Sequence, residues 1–148
     1  MISEIKQAAS AIGITTVITN SNERIESQLN RLTGIEDLPI LLISWDIDTD
    51  LDFDANGFLK NPSSKIVCLL LDKAEDTSKV EAEKTAELMG KAFQKFIVNL
   101  NSILSRYRKG EQVNSLSGIG YKLVPIHGAA KHSGIMGRFT MLGKIENC

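Results

Sequence analysis

SKVEAEKTAELMGKAFQKFIVNLNSILSRY, residues 78–107, decides the fold class of this chain. Its apolar residues Ala82, Ala86, Met89, Ala92, Phe93, Phe96, Ile97, Leu100, Ile103, Leu104 and Tyr107 recur with the period of one helix face. At roughly 1.5 Å per residue, such a helix is on the order of 40 Å long. Ser78 and Glu81 have the spacing of a capping box at its start. Glu87 and Lys91 have the favourable four-residue spacing on its wet side. Gly90 costs about 1 kcal/mol against alanine in a helix, and close packing against a sheet is its simplest reason. Each apolar side chain is worth roughly 1.5–3 kcal/mol if fully buried. The stripe is therefore the largest hydrophobic contribution in the chain and is expected to cover one face of a sheet. Its Ile103-Leu104-Tyr107 end is expected to outrun that sheet and meet a neighbouring subunit.

Towards the N-terminus, Ile66–Leu71 reads as a central strand apolar on both faces, and Ile40–Ile43, after Leu38-Pro39, reads the same way. Between them the pattern is strict alternation. Trp45, Ile47, Thr49, Leu51 and Phe53 fall on one strand face, with Asp46, Asp48, Asp50, Asp52 and Asp54 on the other. Strands are depleted in aspartate, so this face is expected to be hydrated or matched by a partner. Ala55-Asn56-Gly57 and Asn61-Pro62-Ser63-Ser64 are turns. Further upstream, Ile2, Ile5, Ala9 and Ile12 before Gly13 form a short helix with a glycine cap. Asn20, Glu23, Ile25, Leu29, Leu32 and Gly34 form a second, and Thr15–Thr19 between them reads as a brief extended connection.

Towards the C-terminus, Arg106 to Gly118 is polar and is expected as a loop or poorly paired strand, and Gly120–Ile126 as a strand. His127–Gly134 is expected as an exposed or partner-ordered connection of small residues. Ile135–Ile145 is the last strand, with Gly137, Phe139, Met141 and Ile145 on one face and Met136, Arg138, Thr140 and Lys144 on the other. Residues 1–148 thus read as a single α+β domain. A central, mostly antiparallel sheet of about four strands packs against one long helix, with two short N-terminal helices.

A hydrophobic content of 43% and a charged content of 24% are those of a soluble globular protein. A net charge of -1 argues against a protein built to neutralise nucleic-acid phosphates, and no sequence-specific nucleic acid is expected as a partner. The charge is segregated. Five aspartates lie between Asp46 and Asp54 with no base, whereas Arg106, Arg108, Lys109, Lys122, Lys131, Arg138 and Lys144 face only Glu111 and Glu146. Such segregation suits subunits that meet head to side. The expected interface pairs Asp46, Asp48, Asp50, Asp52 and Asp54 with Arg106, Tyr107, Arg108 and Lys109 of a neighbour in a homo-oligomer. Cys68, in an apolar run, and Cys148 do not form a disulfide framework, which points to a reducing compartment. No signal peptide and no apolar run near the ~20 residues of a membrane span is present, so an intracellular, cytoplasmic protein without a membrane partner is expected.

The candidates for chemistry are few. Asp52-Phe53-Asp54-Ala55-Asn56-Gly57 matches the first half of a calcium loop, but Lys60 and Ser63 stand where ligands are required. A hydrated acidic strand ending in an Asn-Gly hairpin is the better account. Aspartates at period two suit acid/base or magnesium chemistry, yet no phosphate loop or arginine clamp accompanies them. His127 and His132 flank a glycine- and alanine-rich stretch without paired acid or cysteine. Cys68 lies between Val67 and Leu69 in an apolar strand, where a thiolate is disfavoured. Gly118-Ile119-Gly120 precedes a strand rather than a helix and fails as a dinucleotide fingerprint. No catalytic, cofactor or metal site is expected. The alternative is a small cytosolic enzyme or ligand-binding domain using the Asp-rich strand or the two histidines.

The order of elements resembles that of the tail terminator (tail completion) proteins of long-tailed phages and prophages. The resemblance rests on Leu38-Pro39-Ile40 opening the sheet and on Ile66–Leu71 leading into the Glu81–Leu104 helix. It rests also on Ser133-Gly134-Ile135-Met136-Gly137-Arg138-Phe139-Thr140, similar to the closing strand of such proteins. It implies a non-enzymatic α/β subunit that assembles as a hexameric ring, caps a completed tail tube and meets the head connector. The family has no catalytic residues to carry over, and the N-terminal helix pair and the Asp-rich strand have no counterpart in it.

Overall fold

The computed structural model describes residues 2–19, 39–44, 47–73, 79–108, 111–113, 115–124 and 132–142. The chain is α+β. Helix α1 (Ile2–Ser10) ends at Gly13, whose φ of 75° is the left-handed cap expected there. Strands β1 (Thr15–Thr19), β2 (Ile40–Ser44), β3 (Asp48–Asp50) and β4 (Ser63–Lys73) follow, then helix α2 (Lys79–Leu104). The chain continues through β5 (Arg106–Arg108), β6 (Glu111–Val113), β7 (Leu116–Val124) and β8 (His132–Leu142).

The main sheet has six strands among the described residues, in the order β1-β2-β4-β8-β7, with β3 also paired to β4. This is larger than the expected sheet of about four strands, and it is mixed. β1 is a parallel edge strand in register with β2, Thr15 opposite Ile40 and Thr19 opposite Ser44, rather than a connection. Parallel neighbours need a long crossover, which residues 20–39 supply. The second short helix expected over Asn20–Gly34 lies outside the described residues, as do Trp45, Asp46, Ser78, Lys109 and His127.

One face of the sheet packs on α2. Leu41 and Ile43 of β2, Ile66, Cys68 and Leu70 of β4, and Ile135, Phe139 and Met141 of β8 form one buried cluster with Met89, Phe93, Phe96, Ile97 and Leu100. Ile5, Ala8 and Ala9 of α1 join it. Phe96 meets Phe139 edge-on at 5.9 Å, and Phe93 meets Tyr121 at 5.7 Å, an arrangement that aligns ring edges with ring faces. A Cβ on Gly137 would lie 2.6 Å from the Phe93 ring, and one on Gly90 would lie 2.9 Å from the Tyr121 ring. Gly90 therefore has the packing reason expected of it.

The predicted stripe is correct from Ala82 to Leu104 but not at Tyr107, which belongs to β5. At the end of the helix the Asn101 carbonyl accepts from the Ser105 amide and hydroxyl, and the Leu104 carbonyl, left without an intrahelical donor, accepts from the Ser115 hydroxyl at 2.9 Å. Ile103 and Leu104 pack against the core rather than outrunning it. The opposite face of the sheet is also buried at Ile40, Leu42, Leu69 and Leu71, as expected of two strands apolar on both sides.

The final strand begins earlier than its pattern suggests. His132, Ser133 and Gly134, expected in an exposed connection, are strand residues of β8 and are buried. The Ser133 hydroxyl donates to the Ala82 carbonyl of α2. Gly134 lies so close to β4 that a Cβ would come within 1.8 Å of the Leu70 carbonyl oxygen. β7 starts at Leu116, inside the stretch expected as a loop or poorly paired strand, with a bulge between Ser117 and Gly120 where Gly118 has φ 59°. No described helix is long and apolar enough to cross a membrane.

Candidate functional site: an acidic, apolar hairpin

The alternating stretch does not form the continuous strand its period predicts. Between the pairs Ile43–Cys68 and Asp48–Lys65, β4 advances three residues while its partner advances five, a shift of register. Among the described residues of the stretch, only Asp48–Asp50 is assigned to a strand of the sheet, and all three are exposed. Thr49 bonds Ser64 through its hydroxyl at 2.9 Å. Beyond Asp50 the chain leaves β4 and folds back on itself as a short hairpin.

The hairpin is built by its own polar groups. The Asp54 amide bonds the Phe58 carbonyl at 2.8 Å, and the Lys60 amide bonds the Asp52 carbonyl at 2.8 Å, with Phe53 bridged to Leu59. The Asp54 carboxylate accepts from the Asn56 and Phe58 amides at 2.9 and 3.0 Å, and Gly57 turns at φ 82°. This is the Asn-Gly reversal read from the sequence. It gives Asp54 a turn-forming role in place of a position on a strand face. Asp50 pairs with Lys65 at 3.6 Å and Asp52 with Lys60 at 3.9 Å, both in solvent and therefore worth little. The acidic row is partly matched within the chain.

The hairpin also carries what the period-two reading assigned to the sheet's apolar face. Leu51 and Phe53 are each 65% exposed and Phe58 is 71% exposed, whereas Ile47 packs against the core. The signal was present: the two turns enclose only Phe58–Lys60, too short a return strand to be roofed by a helix. Phe53, bridged to Leu59, shares a hairpin face with it and with Leu51, while Phe58 lies on the other face. Large apolar side chains this exposed are unusual for a surface with no partner.

The other candidates are dispersed. Arg106–Arg108 forms a two-stranded ribbon with Glu111–Val113, Arg108 opposite Glu111. His132 pairs in register with Lys73 at one end of β4, while the hairpin adjoins Ser63 at the other, about 33 Å away along the strand. The Asp-rich segment and His132 therefore do not form one pocket. His132 is 2% exposed, and burial pushes its imidazole below the ordinary value, helped by Lys73 and opposed by Asp72. Among the described residues its Nδ1 has no hydrogen-bond partner. Burial pushes the Cys68 thiol up to about 12, so a thiolate nucleophile does not form there at neutral pH. In the calcium half-motif, the Asp54 carboxylate is turned onto the backbone amides of its own turn. Among the described residues no group of three or more His, Cys, Asp or Glu side chains is placed to hold a metal ion.

No model of a known protein family matches the chain. No characterised protein matches it in sequence.

Proposed function

We propose that this protein is a non-enzymatic assembly subunit that works by joining copies of itself into a ring. The specific reading, from the resemblance of its element order and closing strand, is a phage or prophage tail terminator. Such a subunit would act in the host cytoplasm and then in the virion, at the head-proximal end of the tail, against other tail or head-connector proteins. The observation that supports assembly best is the hairpin, which holds Leu51, Phe53 and Phe58 in solvent among Asp50, Asp52 and Asp54. Apolar side chains at that exposure lower the free energy of any state that covers them. The sequence also groups Arg106, Arg108 and Lys109 as a basic segment, opposite in charge to the acidic row.

The test is the oligomeric state. Light scattering on the purified chain is expected to give a discrete oligomer, visible as rings by negative-stain electron microscopy. A monomer at high concentration and low salt would overturn the reading. Raising the salt is expected to weaken the ring, because screening shortens the reach of acid-to-base contacts.

A further inference from the structure

A second exposed surface complements the hairpin in both charge and apolarity. It is a groove where the end of α1 meets the outer side of α2, about 490 Å³ in its larger part, lined by Ile12, Lys91, Gln94, Lys95, Val98 and Asn99. A contiguous part adds Leu88 and Ala92. Leu88 and Val98 are 60% and 67% exposed. From Leu88 to Leu104 the helix carries Lys91 and Lys95 and no acid; Glu87, one turn before Lys91, forms no ion pair with it. Among the described residues neither lysine has an ion-pair partner. Four residues apart on one helix face they repel each other, a cost that carboxylates from outside would relieve. The hairpin has the opposite balance: four aspartates (Asp48, Asp50, Asp52, Asp54) against Lys60 and Lys65, which pair with Asp52 and Asp50, beside the exposed Leu51, Phe53 and Phe58.

We infer that the acidic hairpin of one copy docks in the Ile12–Leu88–Val98 groove of the next, its aspartates against Lys91 and Lys95. The inference rests on the ring reading above and names the surfaces that make the ring. The two surfaces are different patches of one chain, so the contact is head-to-tail, the type that closes into a ring when the rotation allows. The groove offers Ile12, Leu88, Ala92 and Val98 as an apolar floor for the hairpin face that carries Leu51 and Phe53. Apolar anchors inside a charged rim are the usual anatomy of a stable interface, in which the charges set register and encounter rate.

Two double variants, each defective in one surface, test the pairing by sedimentation velocity. Phe53→Ser with Phe58→Ser removes the anchors, and Lys91→Glu with Lys95→Glu reverses the groove. Each alone is expected to weaken assembly by roughly tenfold or more. Mixed together, the two are expected to give a one-to-one dimer and nothing larger, because the mixture holds one intact hairpin and one intact groove. A variant that keeps the wild-type oligomer, or a mixture that stays monomeric, would overturn the inference. Loss of assembly in Arg106→Glu with Arg108→Glu, with the groove variant unaffected, would assign the hairpin to the basic ribbon and leave the ring reading standing. A monomeric wild-type chain would overturn both. Should a charge variant fail to fold, Phe53→Cys with Val98→Cys decides: oxidation is expected to link subunits into a ladder absent from each single variant, and no ladder would sink the pairing.

Discussion

Two pairs of phenylalanines in this chain meet opposite fates. Phe93 and Phe96 of α2 are each 1% exposed, whereas Phe53 and Phe58 of the hairpin are 65% and 71% exposed. Apolarity alone did not separate them. The α2 pair belongs to a stripe carried over the 26 residues of the helix, which several strands can cover together. The hairpin pair sits on short arms either side of the Asn-Gly turn, past the point where β3 leaves β4, and no described element covers them. Burial follows from how far a pattern extends, and a short apolar pattern that turns back on itself stays in solvent.

That contrast can be broken from its strongest side first. Phe96→Ala is expected to destabilise the fold by about 3–5 kcal/mol, read from urea unfolding, because its ring fills the contact with Phe139. A loss under 1 kcal/mol would mean the α2 face is not the core. Gly134→Ala comes next, at about 2–3 kcal/mol, because a Cβ would meet the β4 backbone, which cannot step aside as a side chain tip can. Wild-type stability in that variant would show that β8 does not approach β4 so closely.

A smaller effect is expected from pH. His132 is held below its ordinary value of 6.5, so the unfolded chain takes up its proton more readily than the folded one. Its contribution to stability is complete above about pH 6.5 and is lost as pH falls through the lower folded value. Thermal melts between pH 7.5 and 5 are expected to show that decline, and His132→Gln to flatten it. An identical slope in the variant would remove His132 as its source. Least of all, Phe53→Ser with Phe58→Ser is expected to change the stability of the dissociated subunit by no more than about 0.5 kcal/mol, since both side chains are already in water. A large loss would mean that the hairpin belongs to the core after all.

The sequence carried the helix face almost residue by residue, because its period of 3.6 persists for many turns. It also carried the covering of both faces at Ile40–Ile43 and at Leu69–Leu71, though not at Val67, which is exposed, and the caps and turns at Gly13 and Gly57. Less was legible where structure depends on a distant partner. Nothing local to Thr15–Thr19 says that it pairs with Ile40–Ser44, since parallel pairing is set by the crossover and the sheet edge. Ser133 and Gly134 look like loop residues until Ala82 and Leu70 are placed beside them. In the Asp-rich stretch the period of two conceals the register shift between Ile43 and Asp48 and the exposure of Leu51 and Phe53. A charge pattern of period two is satisfied equally by a strand and by a hairpin that begins as one.

If copies of this chain cover one another's exposed surfaces, as proposed, the mass of the purified protein by size exclusion with in-line light scattering, at low and high salt, reads it out. One species of at least three subunit masses is expected, shifting towards smaller species as salt rises. A single monomeric mass at high concentration and low salt would rule the ring out.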